Sequence, residues 1–335
     1  VPLKHPLVAS REVQALKRSL GTTVADAIAD DAVVEIMVNA DGRIWTDRLG
    51  DGCQPTGDAL TADAAETIVR LIANHIGEEV SAARPLVAGV LPESGERFQG
   101  VLPPIARAPV FTIRKRPKLV YSLDDYADQG VFRSGSAQAP AAAQPDRRTA
   151  RQPLAILRDA VTKRQNILIA GGTGSGKTTF ANAILREPGF ASDRVIVIED
   201  TAELQCSAAN RLELLTRRVI PPVTMRDLVQ ATLRLRPDRI VIGEVRDGAA
   251  LDLLKAWNTG HPGGIATIHA NSALDALYRL EDLIGEASAT IPHRAIGSGI
   301  NLIVFITRTR DSRRIDSISR VLGWSAAGYR LEPVL

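Results

Sequence analysis

The stretch Asn166-Ile-Leu-Ile-Ala-Gly-Gly-Thr-Gly-Ser-Gly-Lys-Thr-Thr-Phe-Ala-Asn-Ala-Ile-Leu185 decides the fold. Its apolar run from Ile167 to Ala170 reads as a buried parallel strand, and Thr179 to Leu185 has the composition of a helix. Between them, Gly171 to Thr178 matches G-x-x-x-x-G-K-[ST] without departure, in the strand-to-helix setting that the motif requires. Gly171, Gly172, Gly174 and Gly176 can take positive φ, so the backbone can close around an anion at the positive end of the helix. The expected phosphate cradle is therefore Gly171, Gly172, Thr173, Gly174, Ser175, Gly176, Lys177, Thr178 and Thr179. Lys177 would reach the β- and γ-phosphates of a nucleotide, and the Thr178 hydroxyl would ligate Mg²⁺. A plain glycine-rich turn has no need of a lysine and two threonines after its last glycine.

Downstream the pattern is α/β. A helix from about Pro153 to Arg164 precedes the loop strand, and further buried strands fall at Arg194–Ile198, Ile240–Ile242, Ile265–Ile268 and Leu302–Ile306. Thr224 with Asp227 caps a helix running to about Arg236, stopped by Pro237, and Ser272 with Asp275 caps one ending near Gly285. Alternation of this kind around a phosphate loop predicts a doubly wound sheet with nucleotide at its carboxyl edge. Upstream, Val33–Asn39 reads as a strand, Asp41-Gly42 as a hairpin turn and Arg43–Asp47 as the return strand. Thr61 caps a helix with Ile68, Leu71, Ile72 and Ile76 on one face and Gly77 as its stop. Phe98–Leu102 and Val110–Ile113 read as further strands. The expected organisation is a small α+β domain over residues 1–133, an Ala/Pro/Gln-rich flexible linker over 134–150 and a phosphate-loop domain over 151–335.

Cleaving a nucleotide takes carboxylates to hold Mg²⁺ and orient water, and cations to stabilise the transferring phosphoryl group. Candidates stand at the carboxyl ends of the expected strands. Ile198-Glu199-Asp200-Thr201-Ala202-Glu203 puts three carboxylates within five residues, and in Ile240-Val-Ile-Gly-Glu-Val-Arg-Asp247 the long side chain of Glu244 can reach a water or Mg²⁺. Thr259-Gly-His-Pro-Gly-Gly-Ile-Ala-Thr-Ile-His-Ala-Asn271 places His269 directly after a short strand, where it can contact the γ-phosphate. Arg114, in the front domain, is the last candidate. Each has a blander reading as a solvated turn, a helix-start glutamate, a structural histidine or a surface arginine. Arg246 and Asp247 read as an ion pair or a helix cap.

Composition narrows the class. The chain has 335 residues, 45% of them apolar and 24% charged, as in an ordinary globular protein large enough for two domains. A net charge of +3 and 4% aromatic residues argue against stacked single-stranded nucleic acid. The runs Arg114-Lys115-Arg116 and Arg313-Arg314 read as solvated faces. Cys53 and Cys206 lie far apart, which argues against a disulfide framework or a zinc site and suits a reducing cytoplasm. Lys4, His5, Arg11, Glu12 and Lys17 leave no signal-peptide core, and no apolar run approaches the roughly 20 residues of a membrane span.

Taken in order, the phosphate loop, the Ile-Glu-Asp box, Ile-Gly-Glu-Val-Arg-Asp and Gly-His-Pro-Gly…Thr-Ile-His-Ala-Asn resemble the secretion ATPases of type II and type IV systems. Within them the chain is most similar to the conjugal-transfer ATPases of the TrbB type, and the likeness extends to Phe111-Thr-Ile-Arg-Lys115. The resemblance implies a carboxyl-terminal RecA-like domain, a homohexameric ring, and ATP with Mg²⁺ held between the two domains. It also implies roles: Lys177 and Thr178 for phosphate and metal, Glu199 in the acidic box, Glu244 as the carboxylate that serves metal and water, His269 in the histidine box and Arg114 at the γ-phosphate. The expected partners are inner-membrane components of a secretion or conjugation channel, with the protein cytoplasmic and peripheral on the membrane's inner face. Two alternatives stand beside ATP-driven secretion or conjugal transfer: a scaffold locked by nucleotide, and a nucleic-acid-dependent motor or small-molecule kinase.

Overall fold

The computed structural model describes residues 6–116, 121–132, 147–217, 221–308 and 313–335. The chain forms two compact units, Val1–Lys118 and Leu119–Leu335.

In the first unit, helix α1 (Pro6–Ala29) precedes strands β1 (Val33–Val38), β2 (Arg43–Arg48) and β3 (Gly52–Ala59), helix α2 (Ala62–Ile76), and strands β4 (Leu86–Val90), β5 (Arg97–Val101) and β6 (Val110–Arg114). The strands make one antiparallel sheet in the order β3-β2-β1-β6-β5-β4. Alternation in β1 sends Ile36 and Val38 into a core shared with Ile68, Val69 and Ile72 of α2 and Leu16, Leu20 and Val24 of α1. The ends of α2 are as the sequence predicts. Thr61 accepts a hydrogen bond from the amide of Ala64, and Gly77 ends the helix in the left-handed region at φ 77°. The Arg114-Lys115-Arg116 run is not one solvated face. Lys115 is buried, its ammonium donating to the carbonyls of Ala27 and Asp30 where α1 ends, the negative pole of that helix.

The second unit contains α3 (Leu123–Asp128), α4 (Arg147–Thr162), β7 (Ile167–Gly171), α5 (Lys177–Leu185), β8 (Val195–Glu199), β9 (Arg211–Leu215), α6 (Met225–Thr232), β10 (Arg239–Ile242), α7 (Ala249–Asn258), β11 (Ile265–Ile268), α8 (Ala273–Gly285), α9 (His293–Gly299), β12 (Leu302–Arg308), β13 (Arg313–Ser325) and β14 (Gly328–Pro333). Eight strands form one sheet in the order β14-β13-β12-β7-β11-β10-β8-β9. The six from β12 to β9 are parallel and β13–β14 extends them as an antiparallel hairpin. Helices cover both faces, so β7, β8, β10 and β11 are buried along their whole length and read as unbroken apolar runs. This is the expected RecA-like α/β domain, with β7 central and the loop 171–178 at its carboxyl end.

Three boundaries differ from the sequence reading. The front domain ends at residue 118 rather than 133, because Leu123, Tyr126 and Phe132 pack into the core around Leu157, Phe180 and Ile184. The Tyr126 ring meets Phe180 edge-on at 5.1 Å. Of the expected linker 134–150, residues 134–146 lie outside the described residues, and 147–150 are the first turn of α4. Finally, α6 stops at Thr232 rather than near Arg236. Arg236 precedes Pro237, which disfavours the helical region, and it takes φ 54°; the chain tightens ahead of it through bonds from Arg234 to Ala231 and from Leu235 to Thr232.

Candidate nucleotide site

The loop after β7 needs its glycines for different reasons. A Cβ on Gly171 would stand 2.3 Å from the carbonyl oxygen of Ile306 and 2.7 Å from Ser175 Oγ, so β12 and the loop can approach only a residue without a side chain. Gly174 (φ 69°) and Gly176 (φ 97°) hold the left-handed conformations that turn the amides inward. Gly172, expected to share them, takes no positive φ. Helix α5 begins at Lys177 with no side-chain cap on its first amides and no acidic residue in its first turn. Those amides, with the buried Ser175 Oγ that has no hydrogen-bond partner among the described residues, are donors arranged for an anion.

Lys177 folds back onto the loop, donating to the carbonyls of Gly171 and Gly172 at 2.9 Å each. Burial lowers its pKa, with the Glu244 carboxylate opposing and Arg246 adding to the shift. Its Nζ also lies 3.4 Å from His269 Nδ1, and the other ring nitrogen of His269 is 2.7 Å from Glu244 Oε1. The second Glu244 oxygen accepts from Arg246, whose guanidinium reaches on to Asp200 at 3.7 Å; Asp200 in turn accepts from the Thr216 hydroxyl at 2.8 Å. A chain of alternating charge thus runs from the loop across the carboxyl ends of β11, β10 and β8. Burial lowers the pKa of His269, with Glu244 pulling the other way and Lys177 adding to the shift, which favours the neutral ring. That state suits an Nε2–H facing Glu244 and an Nδ1 lone pair facing Lys177.

Glu199, at the last position of β8, is buried, and burial pushes its carboxyl up to about 7 although Oε1 accepts from the amides of Glu203 and Leu204 at 3.0 Å. Its side chain lies over Gly243, where a Cβ would stand 2.9 Å from Glu199 Cγ. That contact explains a glycine before Glu244. Asn182 of α5, buried, fastens the segment after β8 by donating to the Glu203 carbonyl at 3.2 Å and accepting from the Gln205 amide at 2.8 Å.

The structure therefore brings together Lys177, His269 and Glu244 beside the cradle that contains Thr178 and Thr179, with Glu199 one strand beyond Glu244 and its side chain against Gly243. Arg114 lies in the first unit at the end of β6, exposed, with Nη2 3.2 Å from both carboxylate oxygens of Glu35 on the neighbouring strand. Of the two residues read as an ion pair or a cap, Asp247 is a cap, accepting from the Ala249 amide at 2.9 Å, while Arg246 belongs to the charge chain. Sequence reasoning missed Arg246 and Asn182. Arg246 had a signal, standing two residues from Glu244; Asn182 had none short of the fold.

The family model described as "Type II/IV secretion system protein" matches residues 144–317. The conjugal transfer protein TrbB of Rhizobium radiobacter is 46% identical over 98% of this chain and 94% of its own. The chain belongs to the type II/IV secretion system protein family. Another relative of this family member, the type IV secretion system protein PtlH of Bordetella pertussis, is 38% identical over 74% of this chain and 76% of its own. The crystal structure of the pilus retraction motor PilT with bound ADP aligns at a TM-score of 0.58 and 18% identity, over 93% of this chain and 80% of that one. At that identity the likeness bears on the fold.

Proposed function

We propose that this family member binds and hydrolyses ATP at the carboxyl edge of its second sheet, as the motor of a type IV secretion or conjugal transfer apparatus. The observation that carries the reading is the continuous line from Lys177 through His269 and Glu244 to Arg246 and Asp200 beside an intact phosphate loop. The loop amides and Ser175 Oγ would bind the β- and γ-phosphates, and Lys177 would exchange the Gly171 and Gly172 carbonyls for phosphate oxygens. The Thr178 hydroxyl and Glu244 fit Mg²⁺. They supply oxygen donors beside the cradle, and no cluster of three or more His, Cys, Asp or Glu residues among the described residues offers a competing all-protein cage. Held there, the ion would supply positive charge to offset the charge that develops as the terminal phosphoryl group leaves.

Two carboxylates divide the remaining work. Glu244, pulled on one side by Arg246 and facing His269 on the other, orients the attacking water. Glu199, with its raised pKa, is matched to accept a proton near neutral pH. Arg114 completes the reading as the cation for the γ-phosphate, on family likeness. The same likeness supports a homohexamer that works with the membrane components of a secretion channel, from the cytoplasmic side. Among the described residues no helix is long and apolar enough to cross a membrane.

The test is steady-state phosphate release from ATP and Mg²⁺, alongside equilibrium nucleotide binding. Turnover in the wild type supports the motor; binding without turnover supports a nucleotide-locked scaffold, and stimulation by DNA supports a nucleic-acid motor. Lys177→Ala is expected to lose both binding and turnover. Glu244→Gln is expected to bind nearly as the wild type while turnover falls by about two to four orders of magnitude. Robust turnover in Glu244→Gln would move water activation to Glu199 or Glu203.

A further inference from the structure

Strand β12 overruns its neighbour β7. The register pairs Ile306 with Gly171, the last residue of β7, so Arg308 runs on beside the phosphate loop. Its partner strand sets Arg313 directly opposite Arg308. Both side chains lie against the glycines that shape the loop. Arg308 Nη1 is 3.1 Å from the position a Cβ would take on Gly174, and Arg313 Cδ and Nε are 3.0 and 3.5 Å from that of Gly176. Both arginines are exposed, and neither has a carboxylate partner among the described residues. The next residue is different: Arg314 is ion-paired with Asp316. The Arg313-Arg314 run is thus not the uniform solvated face that its sequence suggests.

Like charges placed directly opposite on an antiparallel ladder oppose each other. Two guanidiniums at the rim of an anion cradle stop opposing each other when an anion lies between them, and the planar guanidinium fork matches phosphate oxygens. We infer that Arg308 and Arg313 form a clamp on the phosphate chain of the nucleotide held by loop 171–178 of the same subunit. The inference rests on the nucleotide reading above. In the sheet order, β12 and β11 flank β7 on opposite sides, so the clamp grips the chain on the side away from His269 and Glu244. It is a binding element, separate from the groups that activate water. Gly174 and Gly176 then serve two ends: they permit the loop's backbone and leave the arginines room to close on it.

The experiment uses the full chain with Arg308→Gln, Arg313→Gln, the double variant, and the two Arg→Lys variants. Equilibrium dissociation constants are measured for ATP and for inorganic tripolyphosphate, and the ligand-free melting temperature serves as a check on folding. Each Gln substitution is expected to weaken both probes about ten-fold, with the Lys variants between Gln and wild type because they keep the charge and lose the fork. A folded double variant that binds both probes within two-fold of wild type overturns the clamp and leaves the nucleotide reading intact. Weakening for ATP alone also overturns it, since the arginines would then touch the nucleoside. Failure of the wild type to bind ATP overturns the nucleotide reading and the clamp with it. Should a Gln variant fail to fold, the Lys variants decide: undiminished binding in both overturns the clamp.

Discussion

Glu199 carries the most informative titration in the molecule. Its carboxyl is near 7 in the folded chain, against 4.5 for an ordinary glutamate, and burial is the main cause. A raised folded pKa means that stability is full below about pH 4.5. It is lost as pH rises through 7, because the unfolded chain ionises this group first. The loss is on the order of 3 kcal/mol when complete. Glu199→Gln removes it. Denaturation of nucleotide-free and magnesium-free protein from pH 4.5 to 8 should therefore show the variant gaining on the wild type as pH rises. Parallel curves for the two proteins would place the carboxylate in a wetter setting than its burial indicates. At this scale the sequence was legible wherever the chemistry is contiguous: the loop from Gly171 to Thr178 announces itself, as does His269 after its strand. Arg308 and Arg313 are not legible, because what distinguishes them from surface arginines is a neighbour far away along the chain; Arg246 offers only its closeness to Glu244, and its reach to Asp200 needs the fold.

Among the secondary-structure elements, helix starts that carry a capping pair and strands that are unbroken apolar runs are legible in the sequence, and elements with neither, such as α1 and β13, are not. Thr61 and Gly77 bound α2, and the Thr224–Asp227 and Ser272–Asp275 pairs begin α6 and α8, because a cap is a local bond between residues three apart. Helix α1 escaped notice although Leu16, Leu20 and Val24 fall on one face, since Gly21 interrupts it with φ 69° and ψ 175°. Strand β13 was missed because its 13 residues mix charge with apolar positions and a bulge shifts the register between Val321 and Gly323. The amino end of β10 carries a further prediction. Arg239 is buried there, donating to Asp193 at 2.5 Å and to the carbonyls of Val161 and Gly189 at 3.0 and 2.8 Å, with its guanidinium 4.4 Å above the Phe190 ring. Arg239→Met leaves those acceptors in an apolar interior, and an expected loss of about 3–5 kcal/mol should appear in urea denaturation followed by circular dichroism. A loss below about 1 kcal/mol would mean that Arg164, which also pairs with Asp193, suffices.

For the molecule as a whole, the alternation of strands and helices fixed the class of the second unit but not its strand order. Nothing local says that β12 lies beside β7, and that neighbour relation is what brings Arg308 to the loop. The front unit's sheet was legible only as scattered strands, since β3 is nearly all exposed and carries little apolar signal. The homohexamer proposed from family likeness makes a mass prediction. Light scattering with ATP and Mg²⁺ should give six times the 35.9 kDa chain, and a particle of one or two chains at the concentration where phosphate is released would remove the ring from the mechanism.

Asn166 stands at the opposite edge of the sheet from the chemistry. Its side chain donates to the carbonyl of Gly299 at 2.7 Å and accepts from the amides of Gly263 and Gly264 at 2.8 and 3.0 Å, while its own amide donates to Asn301 at 2.7 Å. One residue thereby rivets the entrances of β7, β11 and β12, so whatever nucleotide does to the loops at the far rim, these three strands cannot slide past one another. Hydrogen exchange at Gly263 and Gly264 should stay slow and indifferent to ligand, while the amides from 172 to 175 change their rates, making the sheet a fixed anvil against which one flexible rim works.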